Sequence, residues 1–330
     1  MSGQHRESVP ASLSHRRLEP GPITLAPDPS DFFLDAATSA GAHLVELGPE
    51  TRGLIWLSEK RADDLQATLD AHPRIDWVQL PWAGVDAFSS VLTQLSSLPE
   101  STRPVVTSAK GTYSEPVAEH ALALLLACMR ELPRKAREAH WQAQRTGISL
   151  FGRHIVVVGA GGVARTFIDL VAPFRPHITV VRRGGGDVPG AANTVGPDRL
   201  DEFLASADAV VIAAAATPDT RHIIGAAQLA IMPDHAVLVN VARGSLVETD
   251  ALIDALDSGS LFGAGLDVTD PDPCPEGHRL WSNHRVVITS HSADTPEMTR
   301  PLLAARIRAN VQAFSSGGAF IGVVDLEAGY

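Results

Sequence analysis

The stretch HIVVVGAGGVA, residues 154–164, decides how the rest of the chain is read. His154 to Val158 is a short Val/Ile run without polar alternation, the pattern of a strand buried on both faces of a parallel sheet. Glycines end it at once, and a helical pattern with an apolar face follows over residues 166–171. In that strand–turn–helix context, Gly159, Gly161 and Ala164 fit G-x-G-x-x-G/A. Gly159 permits the tight turn, Gly161 lets the backbone approach a pyrophosphate, and small Ala164 allows close helix–strand packing. The helix N-terminus, with Gly162 and Val163, faces the anion. A dinucleotide site is the reading this context favours over a merely structural turn.

The residue that grips the adenosine ribose belongs at the end of the second strand, about 20 residues on. Here HITVVRRGGGDVP (177–189) places Arg182 and Arg183, followed by three glycines. A carboxylate there would repel a 2′-phosphate, whereas a guanidinium forms charge-assisted bonds to it. The arginines therefore point to NADP(H) as the preferred cofactor, with NAD(H) also accepted. A solvated, charged strand end is the bland alternative.

Outward from this stretch, apolar runs at 154–158, 178–181, 209–213, 236–240, 263–268 and 286–289 alternate with helical patterns. These six strands predict a Rossmann-type doubly wound parallel sheet in an α/β fold. The first part repeats the theme: strands at 23–26, 42–47, 54–57 and 77–80, and helices near 30–40 and 61–71. It reads as a smaller, flavodoxin-like α/β substrate domain. A long helix from Glu115 to about Gln144 joins the two, with Ser114 as N-cap and Pro116 early in the helix. A final helix, 296–314, has no place in the six-stranded unit, so the chain is expected to return to its first domain. The expected division is a loose extension over 1–22, a substrate domain of 23–115 plus 296–330, and a dinucleotide-binding domain of 116–295.

Composition limits the partners. The 330 residues are 45% hydrophobic and 20% charged, with a formal net charge of −11, which disfavours nucleic acid. No apolar run approaches the ~18 residues of a membrane span; the longest, 121–128 and 209–216, suit a buried helix and a buried strand. The polar N-terminus lacks the hydrophobic core of a signal peptide, and two cysteines make no disulfide framework. A cytoplasmic protein is the default expectation.

The chemistry lies in VNVARGSLVETDAL (239–252), GLDVTDPDPCPEGHRLW (265–281) and VVITSHSADTPEM (286–298), with QLPWAGVD (79–86), KGTYSEPVAEHALALLLACMREL (110–132) and TPDTRHIIG (217–225) upstream. Together with the glycine turn, these motifs resemble the D-isomer-specific 2-hydroxyacid dehydrogenase family, in its glyoxylate/hydroxypyruvate reductase-like branch. The likeness runs from about residue 75 almost to 315. It implies that Arg243 binds a 2-oxo acid, His291 protonates its carbonyl and Asp272 orients the histidine. It further implies cofactor contacts at Ala215, Thr220, Val241, Ala242, Asp267 and His291. The backbone around Ala83, Gly84 and Val85 would receive the substrate carboxylate, with Trp82 and Tyr113 either lining the pocket or packing in a core. A homodimer is implied, in which Trp141, at the far end of the long helix, reaches toward the partner's pocket.

Elementary chemistry agrees with those roles. A cation must hold the carboxylate and polarise the ketone, and Arg243 has the planar fork for it. An imidazole is the natural proton donor near neutral pH, and a carboxylate partner fixes its ring. Three departures stand out: Asp272 where Glu is usual, Ser290 where Pro is common, and Asp294 in place of Gly. Asp is one methylene short, a reach of roughly 1.3–1.5 Å. Cys274, His278, His284 and His291 lack the paired short intervals of a zinc site, so no metal is expected. The sequence thus predicts NADPH-dependent reduction of a small 2-oxo acid to the D-2-hydroxy acid. The alternatives are a catalytically weak, dinucleotide-sensing corepressor-like protein and an NAD-dependent phosphoglycerate dehydrogenase-like enzyme.

Overall fold

The computed structural model describes residues 18–58 and 60–329. The extension expected over 1–22 lies outside the described residues as far as residue 17. In chain order the first elements are β1 (Ile23–Ala26), α1 (Asp31–Ser39), β2 (Gly53–Trp56), α2 (Ala62–Ala71), β3 (Trp77–Gln79), α3 (Ser89–Ser97) and β4 (Val105–Thr107). Next come α4 (Ser114–Met129), α5 (Leu132–Lys135), β5 (His154–Val158), α6 (Gly162–Val171), β6 (His177–Val181) and β7 (Asn193–Val195). The chain continues through α7 (Leu200–Leu204), β8 (Ala209–Ile212), α8 (Ala226–Ile231), β9 (Val237–Asn240) and α9 (Thr249–Ser258). It closes with β10 (Gly263–Leu266), α10 (Arg279–Ser282), β11 (Val286–Ile288) and α11 (Pro296–Ser316). Two units result: Met1–Tyr113 with Pro296–Tyr330, and Ser114–Thr295.

The second unit is a seven-stranded parallel sheet in the order β11-β10-β9-β8-β5-β6-β7. Alternate strand residues feed two cores. Val156, Val158 and Leu238 pack with Leu204 of α7, Leu229 of α8 and Leu256 of α9. Ile155, Val157 and Val239 pack with Leu125 of α4 and Phe167 of α6. Helices on both faces make the sheet doubly wound, and strand order reverses between β5 and β8, where ligands of such sheets bind. The seventh strand, β7, was not expected; its three residues, Asn193–Val195, are too few to show a period.

The first unit holds a parallel sheet in the order β1-β2-β3-β4. One face buries Leu54, Val78 and Val106 against α2 and α3. On the other, Trp77 meets Phe314 of α11 and Phe320, with ring centroids 5.3 and 5.4 Å apart. The strand expected at 42–47 is not formed. A single bridge, Ile23↔Leu44, remains on the outer side of β1, beyond which Gly48-Pro49 leads the chain away. That position beside β1 is where a flavodoxin-like order places its second strand.

The helix expected to reach about Gln144 stops at Met129. Glu131 adopts a left-handed φ of 52°, and Pro133 supplies no amide donor to the next turn. After α5 no regular element occurs before β5, and Trp141 lies in this irregular stretch, 96% exposed.

Candidate active site

The glycine turn is built by strand register. Val158 at the end of β5 pairs with Val181 of β6 and Ile212 of β8, so Gly159, Arg182 and Ala213 leave the same carboxyl edge side by side. Gly159 has φ +113°, and a Cβ there would lie 2.5 Å from the Ala213 carbonyl oxygen. Gly161 precedes α6 in extended geometry, and no atom lies within 4 Å of where its Cβ would be. An open face beside the first-turn amides of Gly162 and Val163 is what a pyrophosphate requires. Ala164 is fully buried in the helix–sheet core.

Arg182 and Arg183 follow directly. Among the described residues the Arg182 guanidinium has no hydrogen bond or ion pair; its backbone amide donates to Val195. Arg183 Nη1 lies 3.4 Å from Oδ2 of Asp219, an exposed carboxylate in the loop after β8. That loop is shaped by Thr220, whose hydroxyl donates to the Ala215 carbonyl and accepts the Thr217 amide, both at 2.8 Å. The residues present fit a nicotinamide dinucleotide: a turn with room for backbone approach, helix N-terminal amides, and cations at the end of β6.

The second half of the edge carries the candidate reactive groups. Asn240 of β9, Leu266 of β10 and Ile288 of β11 are aligned by register. Arg243 and His291 each lie three residues past this line, and Asp267 lies one past it. Asn240 holds the loop after β9, its side chain accepting the Ala242 amide at 3.0 Å and donating to the Arg243 carbonyl at 2.9 Å. Val241 and Ala242 are buried beneath it, and Arg243 Nη1 donates to the Ala242 carbonyl at 2.8 Å. Gly244 is required by proximity, since a Cβ there would fall 1.8 Å from the Thr269 carbonyl oxygen.

His291 Nδ1 donates to Asp272 Oδ2 at 2.9 Å, both side chains being partly exposed. The missing methylene therefore leaves no gap. Ser290 and His291 both have φ +53°, unusual for residues with a Cβ. Asp267 brackets this turn. Its carbonyl accepts the His291 amide at 2.6 Å, while its carboxylate accepts the Thr289 hydroxyl (2.6 Å) and the Ser292 and Ala293 amides (2.9 and 3.2 Å). His120 of α4 lies behind, Nε2 being 2.8 Å from Thr289 Oγ1 and 3.4 Å from Asp267 Oδ1. Burial alone would raise the Asp267 carboxyl; bonds from His120, Thr289 and Ser292 reverse this and hold it below the usual range. His120 and Thr289 escaped sequence reasoning. The only signal was a histidine in the otherwise apolar face of EHALALLLACM.

The remaining expected residues lie in the first unit. Tyr113 is buried, its hydroxyl donating to the Pro81 carbonyl at 2.7 Å and its ring 5.7 Å from that of Trp82. Trp82 accepts the Ala109 amide at 2.9 Å. Ala83 is exposed, Gly84 partly so, and Val85 is buried. Among the described residues no group of three or more His, Cys, Asp or Glu could hold a metal, and no helix is long and apolar enough to cross a membrane. Neither cysteine is an activated nucleophile. Burial pushes the Cys128 thiol up to about 12. Burial also raises that of Cys274, with a Thr269 hydrogen bond opposing and the Asp272 charge adding.

The profile of the NAD binding domain of D-isomer specific 2-hydroxyacid dehydrogenases matches residues 122–293. An uncharacterized protein in the proB 3′ region of Corynebacterium melassecola is 35% identical over 266 residues, 79% of this chain and 86% of its own. Glyoxylate reductase of Pyrococcus furiosus is 29% identical over 289 residues, 83% of this chain and 82% of its own. The crystal structure of a D-isomer specific 2-hydroxyacid dehydrogenase from Xanthobacter autotrophicus Py2, in complex with NADPH and MES, matches with TM-score 0.79 and 25% identity, over 94% of this chain and 100% of that one. Fold and site define an oxidoreductase that uses a nicotinamide dinucleotide. The chain belongs to the D-isomer specific 2-hydroxyacid dehydrogenase family.

Proposed function

We propose that this protein reduces a small 2-oxo acid of the glyoxylate or hydroxypyruvate type to the D-2-hydroxy acid with NADPH. The observation that carries this reading is the His291–Asp272 pair at 2.9 Å, on the strand edge that also presents Arg243 and the glycine turn. The bound nicotinamide supplies the hydride. Arg243 holds the carboxylate and polarises the ketone, stabilising the developing oxyanion. Asp272 accepts from Nδ1, so the proton for the carbonyl oxygen is held at His291 Nε2. Backbone amides at Ala83, Gly84 and Val85 receive the substrate carboxylate. Asp267 and Thr220 belong to the cofactor side of the site.

NADPH is preferred because Arg182 has no partner among the described residues and stands beside the turn, where a 2′-phosphate would complete it. The protein acts in the cytoplasm as a homodimer, for which Leu132, Trp141 and Phe151 offer exposed apolar area around the irregular stretch.

The test is steady-state kinetics with NADPH and NADH over a panel of 2-oxo acids, for wild type and Arg182→Ala. The expected result is an NADPH preference that falls about 10–100-fold in the variant, the worth of a charge-assisted hydrogen bond. An NADH preference in wild type would make the arginines surface charge. Cofactor binding without turnover of any acid would point instead to a sensor.

A further inference from the structure

We infer that His120 is a positioning residue for His291, acting through the buried Thr289–Asp267 pair. The inference rests on the proposed role of His291 as proton donor. Asp267 is 2% exposed, and its bonds go to the turn that carries His291: Thr289 before it, Ser292 and Ala293 after it, and the His291 amide itself. That turn places two successive side-chain-bearing residues at φ +53°. Such backbone persists only where its surroundings over-determine it.

The clamp in turn needs a donor from outside the turn. Thr289 gives its one hydroxyl proton to Asp267, so the contact with His120 makes Thr289 the acceptor and His120 Nε2–H the donor. No Lys or Arg pairs with Asp267 among the described residues; His120 Nε2 lies 3.4 Å from its Oδ1. His120 sits on α4, which packs on both β10 and β11, the strands that deliver Asp267 and His291. The helix thus supplies the fixed point against which the catalytic turn is held. Its removal leaves Asp267 buried with fewer donors, and the turn free to relax toward ordinary backbone angles.

The experiment compares His120→Leu, His120→Gln, Thr289→Val and the double variant His120→Leu/Thr289→Val, with His291→Ala as reference. Readouts are kcat and KM for the 2-oxo acid at saturating NADPH, NADPH affinity by fluorescence, and Tm. His120→Leu and Thr289→Val are each expected to lower kcat by about tenfold or more, as small displacements of a catalytic group do. NADPH affinity falls by less than kcat does. His120→Gln, which keeps an N–H donor at similar reach, restores most of the rate. The double variant is no worse than the more impaired single, because both break one connection. Wild-type kcat in His120→Leu and Thr289→Val, with or without a lowered Tm, overturns the inference. So does a loss confined to NADPH affinity. An active His291→Ala would overturn the proton-donor reading itself, a different failure from an inactive His291→Ala beside fully active His120 and Thr289 variants.

Discussion

A carboxylate bonded to one ring nitrogen of an imidazole decides which nitrogen faces the substrate. Asp272 takes Nδ1 at 2.9 Å, which in the proposed reaction leaves Nε2 to present the proton. Asp272→Asn keeps the shape but loses the charge that holds this arrangement, and kcat is expected to fall about 100-fold or more. Asp272→Glu, the residue usual in the family, adds a methylene to a contact already at hydrogen-bonding distance. It is therefore expected to lower kcat/KM rather than raise it; a gain would show that Asp272 is a handicap the rest of the site tolerates. Arg243, Asp272 and His291 were legible because each lies within a local motif after a recognisable strand. His120 and Thr289 were not, since they meet across 169 positions of sequence and neither sits in a pattern that names a partner. Asp219, opposite Arg183, escaped for the same reason. Its carboxylate next to the expected phosphate position predicts that Asp219→Asn lowers KM for NADPH while leaving KM for NADH nearly unchanged, measurable at low ionic strength.

At the scale of elements, every interior strand read clearly, because its apolar run is continuous, and so did β1 and β11 at the sheet edges. β4 and β7 are three-residue edge strands, and 42–47 reached the edge of β1 with one bridge only. Edge positions carry half-exposed residues, so their composition approaches that of loops. The helix overrun beyond Met129 had another cause: its residues have good helix propensity, and the left-handed Glu131 is invisible in sequence. One element end carries a pH dependence. His154 opens β5, its Nδ1 within 3.1 Å of the Ser206 carbonyl and its Nε2 within 3.0 Å of Thr179 Oγ1. Burial lowers its pKa below 6.5; the Ser206 carbonyl opposes this, His177 adds to it and Asp208 opposes it. The unfolded chain therefore takes up this proton first, so the contribution of His154 is complete above about pH 6.5 and is lost as pH falls from there toward the folded value. Between pH 7.5 and 5.5, wild type should lose more Tm than His154→Gln. Equal losses would assign the acid sensitivity to other groups.

At the scale of the whole chain, the two units differ in how they could fold alone. Residues 114–295 are contiguous, lie within ordinary domain size, and carry a core on each face of their own sheet. The other unit is assembled from two distant segments. Without residues 296–329, Trp77 loses Phe314 and Phe320, and Gln79, buried between Thr107 and Asn310, loses the 2.7 Å bond from the Asn310 amide. An exposed aromatic face and the loss of one of the two donors to a buried amide oxygen are together enough to unfold a small sheet. Residues 114–295 expressed alone are therefore expected to unfold in one cooperative transition and to bind NADPH as the full chain does, because every residue of the proposed dinucleotide site lies within them. They should turn over 2-oxo acids poorly, since the proposed carboxylate donors at 83–85 are missing. Residues 18–113 alone should show no cooperative transition, and joining residues 296–329 through a flexible linker should restore one. A cooperative 18–113 fragment would mean that α11 covers a face already stable without it. Loss of NADPH binding by 114–295 would mean that the dinucleotide depends on residues outside that unit.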